Sequence, residues 1–164
     1  MNYAADRALQ VAIEMELLGK AFYESLAAGC GIPEIASLAA GLAKEEETHV
    51  KVFKRMLDAL PLVHRGPKLS EEELFLASKE LRGRIMPNAD TVRKIVSSSS
   101  ILKALDIAIV MENDAISYYT NLSLGIEGLD KTVLIKFVNE EKGHLDMLQK
   151  RRDKLFSQAG EDTL

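Results

Sequence analysis

Lys44-Glu-Glu-Glu-Thr-His49 and Asn139-Glu-Glu-Lys-Gly-His144 carry one pattern in two distant parts of the chain: a glutamate three residues ahead of a histidine. These motifs, Glu46-x-x-His49 and Glu141-x-x-His144, use two of the three histidines. On a helix, residues three or four apart share a face, so each motif projects a carboxylate and an imidazole the same way. The first face reads Ala39, Leu42, Glu46, His49, Phe53 and Leu57; the second reads Leu134, Phe137, Glu141, His144 and Leu148. Both are otherwise apolar. Each is expected to point into a core.

The likeness extends outward from the motifs. Ala8-Leu-Gln-Val-Ala-Ile-Glu-Met-Glu16 aligns with Ala104-Leu-Asp-Ile-Ala-Ile-Val-Met-Glu112, 96 residues later, and Phe22-Tyr23 aligns with Tyr118-Tyr119 at the same spacing. The two Glu-x-x-His motifs stand 95 residues apart. The face through Glu16 holds Leu9, Ala12, Gly19 and Tyr23, and that through Glu112 holds Leu105, Ala108, Ala115 and Tyr119. Four carboxylates and two imidazoles are therefore expected to enter one core near the middle of four helices.

Four buried carboxylates repel one another, and each is costly to take out of water. Two divalent cations would cancel their charge. An oxygen-rich set with one imidazole per ion suits iron or manganese, whereas structural zinc more often recruits thiolates, and this chain has one cysteine, Cys30. The expected ligands are Glu16, Glu46, His49, Glu112, Glu141 and His144, with Glu46 and Glu141 bridging and Glu16 and Glu112 terminal. Bridged ions lie about 3.5–4 Å apart in two-metal sites generally. Glu45 rivals Glu46, being four residues before His49, but the match to Glu141 favours Glu46. Glu14, Glu45, Glu47 and Glu140 are read as solvated, His64 as a surface residue, Cys30 as a free thiol, and Met15, Met111 and Met147 as core filler. Two readings stay open for Tyr23 and Tyr119: hydrogen bonding or electron transfer at a ligand, or plain packing.

Apolar periodicity organises the chain into four blocks of roughly 25 residues, each about 37 Å of helix. They run from about Asp6 to Ala28, from Pro33 to Leu60, from the serine run Ser97–Ser100 to Leu124, and from Asp130 to Phe156. Pro33 suits a first helical turn, and a serine or Asp130 suits an N-cap. The tail from Ser157 is polar and expected to fray. Short loops make antiparallel pairs, while residues 61–96 form a crossover in which Ser70-Glu-Glu-Glu73 heads one short helix, with Leu74, Ala77 and Leu81 on one side.

With 164 residues, 47% apolar and 28% charged, the chain is expected to form a single all-α domain over residues 1–164. A net charge of −4 argues against nucleic acid or an anionic membrane as partner. No run approaches 18 apolar residues and no signal peptide opens the sequence, so a soluble, cytoplasmic protein is expected.

On Glu16, Glu46-x-x-His49, Glu112, Glu141-x-x-His144 and the Ala-x-x-x-Glu-x-x-x-x-x-(Phe/Tyr)-Tyr stretches from Ala12 and Ala108, the chain resembles the rubrerythrin branch of the ferritin-like superfamily. The resemblance implies a ferritin-like antiparallel four-helix bundle with a pair of iron ions, manganese or mixed metals being alternatives. It also implies an oxidoreductase of oxidative stress that reacts with peroxide or dioxygen, as a homodimer. Rubrerythrins carry a rubredoxin module with two Cys-x-x-Cys pairs, which a single cysteine cannot supply, so an external donor such as a rubredoxin-like protein is expected. They also place an extra glutamate where this chain has Ala115, and their crossover is shorter. Bacterioferritin shares the six-residue pattern, making ferrous iron oxidation for storage or detoxification the rival reading. Its cage has a further short helix, for which eight residues after Phe156 leave little room. A metal-stabilised, non-catalytic bundle is the third reading.

Overall fold

The computed structural model describes residues 4–82, 89–126 and 128–161. Its elements are α1 (Ala4–Gly29), α2 (Pro33–Ala59), a 3-10 turn (Leu62–His64), α3 (Glu71–Arg82), α4 (Ala89–Ser98), α5 (Ile101–Gly125) and α6 (Lys131–Glu161). No strand occurs among the described residues. Helices α1 and α2 form one antiparallel hairpin and α5 and α6 the other, making an all-α four-helix bundle.

The helix ends follow local chemistry. Pro33 occupies the first turn of α2, where its missing N–H costs no hydrogen bond, and the helix stops before Pro61. Ser100 caps α5, its Oγ accepting from Lys103 N at 3.3 Å. Asp130 caps α6, its Oδ1 accepting from Thr132 N at 2.9 Å and Val133 N at 3.3 Å. Between α5 and α6 the chain turns at Gly128, whose φ of 88° would strain any residue with a Cβ.

The crossover departs from expectation. Its described residues hold two helices rather than one. The capping box at Ser70 forms reciprocally, Glu73 N donating to Ser70 Oγ and Ser70 N to Glu73 Oε2, and Ala77 is buried beneath α3. The side chain of Leu81 lies outside the described residues. Helix α4 then consumes Ser97 and Ser98, which had been candidates for the next cap. Their hydroxyls bond back to Lys94 O and Ile95 O, and Val96 is buried against the bundle. Serine's weak helix preference yields here to an apolar contact. At the far end, α6 continues through Glu161, past the expected stop at Phe156.

The start of the crossover is tied to α1 by two side chains. Buried Asp6 accepts from Gly66 N at 2.9 Å, and Gln10 bridges Leu69 N at 2.7 Å and Pro67 O at 3.2 Å. His64 is exposed, as expected.

Two apolar clusters fill the bundle. One gathers Leu9, Ala12, Phe53, Tyr119, Leu134 and Phe137; the other gathers Phe22, Tyr23, Leu42, Leu105, Ala108 and Leu148. On every long helix the polar positions of interest fall between the segments belonging to these clusters. The functional side chains are thus closed in at both ends.

Candidate metal centre

Glu16, Glu46, His49, Glu112, Glu141 and His144 are all buried. They converge as two overlapping groups: Glu16, Glu46, His49 and Glu141, and Glu46, Glu112, Glu141 and His144. Within each, one ligand atom per residue lies within 4.8 Å of the others. Glu46 and Glu141 belong to both groups. Glu16 and Glu112 each belong to one.

Both imidazoles turn the same edge inward. His49 Nδ1 lies 3.1 Å from Glu141 Oε1, 3.2 Å from Glu16 Oε2 and 3.4 Å from Glu46 Oε2. His144 Nδ1 lies 2.9 Å from Glu141 Oε2, 3.7 Å from Glu112 Oε2 and 3.9 Å from Glu46 Oε1. The rings stack 5.8 Å apart at 16°, and Phe137 packs edge-on against His49 at 4.7 Å. Tyr23 donates to Glu112 Oε1 and Tyr119 to Glu16 Oε1, each from the opposite hairpin. The tyrosines are therefore hydrogen-bonding and packed at once.

Burial, then the charge of Glu16, pushes the Glu46 carboxyl well above its usual range. Burial also pushes Glu112 up to about 7, against the pull of His144. Burial would raise Glu141 too, but the His144 and His49 rings beside it hold it down to about 2. For the imidazoles, burial alone would favour the neutral ring. The adjacent carboxylates of Glu112 and Glu141 instead bring His144 up to about 11, and those of Glu141, Glu16 and Glu46 raise His49 as well. Burial and the adjacent glutamates keep both tyrosines protonated and able to donate.

Glu141 Oε1, Glu141 Oε2 and His144 Nδ1 are buried with no hydrogen-bond partner, despite the short approach between carboxylate and ring. Carboxylate oxygens and imidazole nitrogens aimed at one another across a shared space fit a cation-binding set, because a positive ion satisfies them together once the rings give up their protons. The oxygen-rich composition fits iron or manganese by ligand type.

Several residues around this core differ from their sequence reading. Glu45 and Glu140, expected to be solvated, keep exposed flanks but also reach the histidines: Glu45 Oε2 is 2.9 Å from His144 Nε2, and Glu140 Oε2 is 3.4 Å from His49 Nε2. Their matched positions, 95 residues apart, were the available signal; the direction of reach was not. Glu14 is half-buried, and burial raises its carboxyl. Met147 is exposed on α6, while Met15 and Met111 pack against the core. Glu47 is partly exposed and pairs with Lys51 at 3.3 Å. Cys30 is a free thiol.

Comparison with known proteins agrees with this architecture. Residues 7–94, just over half of the chain, match the Rubrerythrin family model. The matched span contains Glu16, Glu46 and His49. Among solved structures, a protein from Thermotoga maritima, provisionally described as a ferritin-like diiron-carboxylate protein, superposes with a TM-score of 0.70 at 25% identity, over 93% of this chain and 95% of that one. No curated protein matches the sequence. By its helical bundle and the match across its first half, the chain belongs to the rubrerythrin family.

Proposed function

We propose that this protein holds two iron ions between Glu16, Glu46, His49, Glu112, Glu141 and His144, and reduces peroxide or dioxygen with electrons from a separate donor protein. One observation carries the reading: two four-residue groups share Glu46 and Glu141, and three buried ligand atoms there lack any other partner. The relative described as a diiron-carboxylate protein supports iron over other ions.

Glu46 and Glu141 would be shared by the pair, while Glu16 with His49 and Glu112 with His144 would serve one ion each. Bound iron supplies one electron per ion, so a pair reduces one hydrogen peroxide and two protons to two waters. The chain's own contribution is to hold and shield that chemistry. Tyr23 and Tyr119 hold one oxygen each of Glu112 and Glu16, leaving the other oxygen to face the centre. The apolar clusters on either side keep bulk water out, which strengthens every charge interaction within.

Anaerobic loading with ferrous iron is expected to saturate at about two ions per chain, as the six-residue scheme allows. Adding peroxide should consume about one equivalent per chain and raise visible ferric absorption. Stoichiometric iron binding with no peroxide consumption and no spectral change would reduce the site to a structural one. Retention of many irons per chain in a large assembly would favour storage instead.

A further inference from the structure

Glu45 and Glu140 stand one residue before Glu46 and Glu141, and four before His49 and His144. Positions i and i+4 on a helix are neighbours, so each would ordinarily meet the histidine of its own helix. The structure pairs them the other way. Glu45 of α2 reaches His144 of α6 at 2.9 Å, and Glu140 of α6 approaches His49 of α2 at 3.4 Å. Both contacts are made by Nε2, while Nδ1 of each ring faces the buried carboxylates.

An imidazole that offers the lone pair of one nitrogen to a cation carries its proton on the other. A carboxylate accepting that N–H fixes both the tautomer and the ring orientation. We propose that Glu45 and Glu140 are positioning residues, exchanged between the two hairpins, which hold His144 and His49 with Nδ1 turned to the metal pair. This rests on the dimetal reading above. The two are unequal: Glu140 also meets Lys136 Nζ at 3.3 Å through its other oxygen, and its contact with the ring is longer. Glu45 therefore orients its histidine more firmly. Glu45 also lines an open surface groove with Gly41, Leu42 and Met147, so removing its side chain would let water reach His144 Nε2.

The test uses the full chain loaded with zinc, a diamagnetic probe, and nitrogen-15 NMR of the histidine rings. Wild type should show Nδ1 bound to metal and Nε2 carrying a slowly exchanging proton on both rings. Glu45→Ala should speed exchange at His144 and leave His49 unchanged; Glu140→Ala should do the reverse, to a smaller degree. Zinc affinity, measured by chelator competition, should fall about 10- to 100-fold in Glu45→Ala. Glu45→Gln, whose amide oxygen still accepts the N–H, should recover most of the affinity and the slow exchange. The proposal is overturned if Glu45→Ala disturbs His49 in place of His144, or changes neither ring nor affinity. If zinc is bound through Nε2, the proposal alone fails. If wild type binds no zinc, the dimetal reading fails and this falls with it.

Discussion

The hairpin α1–α2 and the hairpin α5–α6 place the same residue types at the same heights, yet neither is a site by itself. Their polar contacts run across the bundle. Tyr23 bonds Glu112, Tyr119 bonds Glu16, and Glu45 and Glu140 reach the histidine of the opposite hairpin. The two helices of each hairpin pack closely along their length, whereas α1 with α5 and α2 with α6 approach much less. The buried acids and imidazoles bridge that wider gap. Duplication supplies two half-sites, and crossing makes one centre of them.

The halves also differ. Gly19 in α1 corresponds to Ala115 in α5, and a Cβ on Gly19 would stand 3.4 Å from Glu46 Cδ. Glu141 is the carboxylate that Nδ1 of both imidazoles approaches most closely, while Glu46 lies nearer His49 than His144. Shared and unshared carboxylates therefore give the sharpest test. Glu141→Ala is expected to lose both ions, reducing bound metal from about two per chain to about zero. Glu16→Ala and Glu112→Ala should each retain about one, because each serves a single group. Metal analysis after gel filtration decides it. Equal losses in all three variants would break the distinction between bridging and terminal positions.

The protonation of the cluster separates metal-free from loaded protein next. Glu112 rises from 4.5 unfolded to about 7 folded, so its contribution is complete below 4.5 and lost as pH climbs through 7. His144 rises from 6.5 to about 11, and its contribution is lost as pH climbs through that window. Glu141 works oppositely: lowered from 4.5 to about 2, it stabilises above 4.5 and ceases to as pH falls through 2. The metal-free cluster should thus contribute most near pH 4.5 and progressively less above it. Cation binding displaces those protons and strengthens with pH. Thermal melts from about pH 5 to about pH 8 should show the loaded protein pulling away from the metal-free one, by several degrees or more. Parallel curves would mean that metal and protons do not compete for these groups.

The smallest effect concerns the one position where the inward stripes differ in backbone freedom. Gly19→Ala should stabilise the metal-free protein by about 0.5–1 kcal/mol, because alanine loses less entropy in a helix and its Cβ makes ordinary contact with Glu46. Ala115→Gly should cost a similar amount. Iron stoichiometry should stay at about two in both. If Gly19→Ala destabilises, Glu46 needs the space that glycine leaves.

The inward stripes were legible because helical periodicity is local: Leu9, Ala12, Glu16 and Tyr23 share a face whatever the rest of the chain does, and all four are buried. The caps at Ser70 and Asp130 were legible for the same reason, each depending on a few neighbouring atoms. The second crossover helix was not. Its serine-rich end reads as a boundary, and only burial of Val96 on the bundle extends the helix through it. Spacing put Glu45 and Glu140 one turn from a histidine of their own helix, but not their reach to the histidine opposite, which one oxygen makes while the side chains remain 55% and 35% exposed.

Sequence alone determined four helices, their paired connectivity and the six inward polar residues, because each follows from spacing along one helix and from the cost of burying charge. Tertiary structure decided which nitrogen of each imidazole faces inward, and that the contacts of Tyr23, Tyr119, Glu45 and Glu140 cross from one hairpin to the other. Those are matters of register between helices. Two motifs can sit perfectly in phase along the chain and still meet the wrong partner, until packing sets the height at which the hairpins face each other.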